Sequence, residues 1–111
     1  MKRYRIGVIG AGARGESFAR SLYAGSDRAG LFGLCDLDGD RLERFVAYCG
    51  LANARTFTDP AAFFAEPDLD AVIVTTPDFT HRDVAIQALR AGKDVYLEKP
   101  VAPTAAQCRD I

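Results

Sequence analysis

Short apolar runs and helical periodicity alternate along this chain five times. The run YRIGVIG, residues 4–10, is compact and ends in glycine, as expected for a strand buried on both faces of a sheet. Phe18, Ala19, Leu22 and Tyr23 then recur at helical spacing, and Gly25 marks the stop. GLFGLCD, residues 30–36, predicts a second strand. Leu42, Phe45, Val46 and Cys49 share one face of a second helix, with Asp38 placed to cap its start and Gly50 just past its end. ARTFT predicts a short third strand. Asp59-Pro60 then supplies an N-cap and a first-turn proline for a brief helix over residues 61–65. DAVIVTTP, residues 70–77, is the clearest buried strand. Thr80 with Asp83 predicts a capping-box variant, opening a helix through Val84, Ala85, Ala88 and Leu89 to Gly92. DVYLEK, residues 94–99, predicts a fifth strand, and Thr104 with Gln107 opens a last helix.

Strands alternating with helices over short connections imply an α/β fold. The expected form is a doubly wound (Rossmann) parallel sheet of about five strands with helices on both faces and right-handed crossovers. Residues 1–111 form one dinucleotide-binding domain in this reading. In such sheets ligands bind at the carboxyl ends of the strands, where strand order reverses. Four of the five strand ends carry chemistry there: residues 10–15, Asp36, residues 75–77 and residues 98–100.

Charge and cysteine content narrow the function. A net charge of −1 with no block of like charge argues against nucleic acid or an anionic membrane surface as partner. No run approaches the roughly 20 apolar residues of a membrane span. The basic opening MKRYR leads into a short, glycine-rich stretch followed at once by Arg14 and Glu16, which is not the pattern of an export signal. Three cysteines without a C-x-x-C suggest free thiols in a reducing cytoplasm. With one histidine, no metal site is argued.

The glycine turn GAGARG sets Gly10, Gly12 and Gly15 at the G-x-G-x-x-G spacing, with Ala11, Ala13 and Arg14 between them. Gly10 permits the tight turn, Gly12 lets the backbone approach a pyrophosphate, and Gly15 lets the helix pack close to the strand. The helix amino-terminus then offers free N–H groups and a positive dipole end. Arg14 either reaches the pyrophosphate or remains a solvated surface residue. Asp36 ends the second strand, where a carboxylate accepts hydrogen bonds from both adenosine ribose hydroxyls and repels a 2′-phosphate. Leu37 follows it in place of an arginine, so NAD is favoured over NADP. Thr75 and Thr76 are placed to touch the nicotinamide half. His81, in the next helix's first turn, faces a positive dipole end that favours neutral imidazole; it serves either the ligand or the turn itself. Glu98 and Lys99 point to opposite sides of the fifth strand. A lysine beside a cofactor transfers a proton if its pKa falls, though an exposed lysine at a strand end is also ordinary.

Together, the glycine turn, Asp36, T-P-x-x-x-H over residues 76–81 and E-K-P over residues 98–100 resemble the amino-terminal half of the Gfo/Idh/MocA oxidoreductases. The resemblance implies hydride transfer between a nicotinamide cofactor and a sugar, cyclitol or related alcohol. It implies that Gly10, Gly12 and Gly15 hold the pyrophosphate and Asp36 the ribose. Thr76, Pro77 and His81 match the segment bordering the nicotinamide side, Glu98 the glutamate near the nicotinamide ribose, and Lys99 the catalytic lysine. Members of that family continue into a sixth strand and a substrate domain, so this chain is expected to bind NAD but not to turn over by itself. The fifth strand would then be an open edge at which two copies can pair. The alternatives are an NAD-dependent glycosidase of the same superfamily, a non-catalytic NAD-binding module and, disfavoured by the third glycine and E-K-P, a methyltransferase-like domain.

Overall fold

The sheet is wound in two directions from its first strand. A computed structural model describes residues 3–51, 53–97 and 104–111. The elements are β1 (Tyr4–Ile9), α1 (Ala13–Ala24), β2 (Ala29–Cys35), α2 (Gly39–Cys49), β3 (Arg55–Phe57), α3 (Pro60–Phe64), β4 (Ala71–Val74), a 3-10 turn (Asp78–Thr80), α4 (His81–Arg90), β5 (Asp94–Leu97) and α5 (Ala105–Asp110). The strand order is β3-β2-β1-β4-β5, and every pairing is parallel. Strand order therefore reverses between β1 and β4, beside the glycine turn, and β5 lies at one edge among the described residues.

Consecutive residues of a strand face opposite sides, and β1 shows how this builds two cores. Val8 packs with Ala19 of α1 and with Leu42, Phe45 and Cys49 of α2. Its neighbour Ile9 packs with Phe63 and Phe64 of α3 and Ala88 of α4. Helices thus cover both faces, and the central strands are buried on both, which is why they read as unbroken apolar runs. Asp38 caps α2, accepting from the Arg41 N–H at 3.1 Å, and Asp59 caps α3 through the Ala61 N–H at 3.0 Å. Gly50 ends α2 in the left-handed region, at φ 69.

One expected cap differs. Thr80 precedes α4 but its side chain does not cap it. The 3-10 turn holds Thr80 at φ −96, ψ −11, a helical rather than extended backbone, and its hydroxyl lies instead 2.6 Å from the Pro77 carbonyl. An N-cap side chain reaches forward only from extended backbone. Among the described residues no helix is long and apolar enough to cross a membrane.

Three protonated groups tie fold stability to alkaline pH. Burial, then the charges of Asp36 and Asp59, push the Cys35 thiol from 9.0 up to about 12. The Tyr4 hydroxyl donates to Asp94, and that bond, followed by burial, pushes it from 10.0 up to about 12. Burial also pushes the Cys49 thiol up. The folded chain therefore holds protons that the unfolded chain releases earlier, so stability is intact below the unfolded values and falls as pH rises toward the folded ones. Urea unfolding across this range should show the midpoint dropping. The drop should shrink in Cys35→Ala and in Tyr4→Phe; an unchanged pH slope in both variants would remove the assignment.

Candidate functional site

The carboxyl ends of β1, β2 and β4 open into one cleft of about 740 Å³. Its floor is the glycine turn. Gly10 adopts φ 110, and a Cβ there would stand 2.8 Å from the Thr75 carbonyl carbon and the Thr76 nitrogen. Gly15 is buried beneath it: a Cβ at Gly15 would meet the Gly10 carbonyl oxygen at 2.2 Å. Gly12, on the cleft wall, has nothing within 4 Å of its missing Cβ. The first and third glycines are thus demanded by the fold, whereas the second faces open space. No side chain caps α1, in contrast to α2 and α3, so its amino-terminal N–H groups and dipole end suit an anion.

Asp36 forms the second wall. One carboxylate oxygen accepts the Ala11 N–H at 2.8 Å, and the other accepts the Asp38 N–H at 2.9 Å. A carboxylate offers about four acceptor sites. The two backbone bonds fix the group's plane and leave a site on each oxygen, an arrangement suited to a vicinal diol.

The third wall follows β4. The Thr75 hydroxyl lies 3.1 Å from the Ile9 carbonyl and 3.0 Å from that of Gly10, tying this strand end to the glycine turn. Thr76 and Thr80 hydroxyls are 2.7 Å apart. His81 is only 1% exposed, and its Nε2 lies 2.9 Å from the Thr76 carbonyl oxygen.

Of the residues expected at the site, Gly10, Ala11, Gly12, Asp36, Leu37, Thr75, Thr76 and Pro77 line this cleft. Ala13 opens α1. Arg14 is exposed, with its guanidinium 5.9 Å from the centre of the Phe18 ring. Gly15 and His81 lie behind the wall rather than on it. Glu98, Lys99 and Pro100 are outside the described residues. Sequence reasoning missed Arg41, Pro60, Phe79, Asp83 and Val84, all on the cleft wall. A signal for His81 existed, since Ala85 and Ala88 sit at i+4 and i+7 and all three are buried along α4.

Over residues 4–111 the sequence matches the family described as "Oxidoreductase family, NAD-binding Rossmann fold". The chain belongs to the Gfo/Idh/MocA oxidoreductases. Inositol 2-dehydrogenase 1 of Saccharopolyspora erythraea is 36% identical over 104 residues, which are 94% of this chain and 31% of that protein. Inositol 2-dehydrogenase of Acidothermus cellulolyticus is 38% identical over 94% of this chain and 30% of its own length. The structure of myo-inositol dehydrogenase from Lactobacillus casei, in complex with NAD(H) and myo-inositol, superposes with a TM-score of 0.87 at 30% identity. That match covers 97% of this chain and 32% of the other. This Gfo/Idh/MocA chain therefore spans just under a third of the length of these relatives. Its cleft fits the cofactor in the family description: an uncapped helix terminus for a pyrophosphate, open space at Gly12 for its close approach, and a preset carboxylate for a ribose.

Proposed function

We propose that this domain holds NAD(H) for a dehydrogenase acting on a cyclic polyol of the inositol type. The observation that carries the reading is the uncapped amino-terminus of α1 beside the preset Asp36 carboxylate, on a chain 36% identical to an inositol 2-dehydrogenase. Bound NAD supplies the hydride acceptor. The residues of this chain do the rest of the holding. The first N–H groups of α1 take the pyrophosphate, and Asp36 takes the adenosine ribose through its remaining acceptor sites. Leu37 and Phe79, both exposed on the cleft rim, offer apolar surface to a flat base. His81 holds the Thr76 carbonyl and so acts on the nicotinamide side by positioning, not contact. By the family resemblance, Glu98 serves the nicotinamide ribose, and Lys99 accepts the proton of the substrate hydroxyl. Lys99→Met should keep NADH binding; a variant that loses it would make Lys99 structural. The relatives named above are dehydrogenases, which gives a redox-assisted glycosidase no support.

Titration of the 111-residue chain with NADH and then NADPH, followed by nicotinamide fluorescence, tests the reading. Saturable binding with preference for NADH is expected. A chain that melts cooperatively and binds neither would overturn it. Pairing of two copies along the β5 edge is checked separately by elution volume against protein concentration, where a constant monomeric volume would exclude it.

A further inference from the structure

Helix α5 shows no buried face to hold it. Each of its described side chains is exposed, and six residues do not sustain a helix alone in water. A charge pair ties it to the cleft instead. Arg82, the second residue of α4, donates from Nε to Asp110 of α5 at 2.7 Å and from Nη1 to Asp83 at 2.9 Å. Asp83 lines the cleft, so one guanidinium bridges the cleft wall and α5. We propose that Arg82 is a positioning residue for Lys99, holding through Asp110 the helix to which the E-K-P segment leads.

This rests on the reading of Lys99 above and adds a residue that acts on it from outside the cleft. By chain order Lys99 stands two residues past the end of β5 and six before the start of α5. The two flanking elements therefore bound the space its backbone can reach. Strand β5 is fixed on three sides. It pairs with β4 along its length, Val95 and Leu97 pack against the core that includes Ala88 of α4, and the Tyr96 ring lies 5.6 Å from that of Phe18. Helix α5 shows no comparable packing, so its docking is an equilibrium that one ion pair can bias. An exposed pair shifts such an equilibrium by up to about fivefold. Losing Arg82 also leaves Asp83 and Asp110 without the cation they share, so repulsion replaces attraction between α4 and α5.

The test follows Lys99 itself in the 111-residue chain. Acetic anhydride labels lysine amines, and mass spectrometry reads Lys2, Lys93 and Lys99 separately. Saturating NADH should slow the labelling of Lys99, because the cofactor covers the side on which that amine works. In Arg82→Gln and in Asp110→Asn this protection should fall by roughly 2- to 5-fold. The charge swap, Arg82→Asp with Asp110→Arg, should restore it. Lys93, whose Nζ donates to the Glu66 carbonyl at 2.8 Å, reports on the fold at large and should label alike in every variant. Protection unchanged in both single variants overturns the assignment, as does a loss that the swap fails to restore or that Lys93 shares. NADH titration of the same samples keeps the failures apart. A wild-type chain that binds NADH without shielding Lys99 strikes down the reading of Lys99, and this inference with it. One that melts cooperatively but binds no NADH strikes down the cofactor reading first.

Discussion

Gly15→Ala should destabilise the domain by about 1–3 kcal/mol or more, the usual cost of overpacking, while Gly12→Ala should melt like the wild type yet bind NADH at least about tenfold more weakly, ~1.4 kcal/mol. The two glycines belong to one motif, but different forces hold them. At Gly15 a methyl group would lie 2.2 Å from the backbone oxygen of Gly10 and 3.1 Å from the Thr75 hydroxyl. Neither obstacle is the free end of a flexible side chain. Relief requires α1 to lift from β1, which pulls the Gly10 carbonyl away from the Thr75 hydroxyl that lies 3.0 Å from it. At Gly12 the backbone sits at φ −101, ψ −171, open to any residue, and the added methyl meets nothing. What it occupies is the approach path of an anion to the first turn of α1. Urea melts paired with NADH titrations separate the cases. Equal destabilisation by both variants, or full NADH affinity in Gly12→Ala, would show that the open space at Gly12 has no part in binding.

The sheet was legible because its central strands are buried on both faces. Val8, Ile9, Val72 and Val74 are all buried, and such runs stand out without knowledge of their neighbours. Helix ends were legible where one residue type decides them, as Asp38, Asp59 and Gly50 do. The turn after β4 was harder. A capping pattern at Thr80 and Asp83 assumes extended backbone at the cap, but the 3-10 turn makes Thr80 helical and sends its hydroxyl backward. Arg41 escaped notice for another reason. Its place on the wall depends on the angle at which α2 leaves β2, and periodicity records only which face of a helix is apolar. Motif spacing marks the residues near a strand end; it is silent on side chains that arrive from the next helical turn.

His81→Ala should cost about 2–4 kcal/mol of stability, combining a cavity with an unpaired buried carbonyl, and NADH affinity should fall as a consequence. The reasoning is a matter of protons. The Thr76 carbonyl can only accept, so the His81 Nε2 that lies 2.9 Å from it carries the hydrogen. The Thr80 hydroxyl has one proton for two oxygens, at 2.6 Å on Pro77 and 2.7 Å on Thr76. The Pro77 carbonyl must receive it, which leaves the Thr76 hydroxyl to donate to Thr80. Thr76 is then held at its carbonyl and at its hydroxyl, and it turns an oxygen lone pair rather than a proton toward the cleft. Removing His81 frees the first of these anchors. His81→Gln, which keeps a donor at comparable reach, should recover much of both stability and affinity. Direct contact between His81 and the cofactor would give the opposite pattern, with affinity lost in His81→Ala, the melting curve unmoved and no rescue by glutamine. With 1% of the residue exposed, the buried bond to Thr76 is the term that dominates.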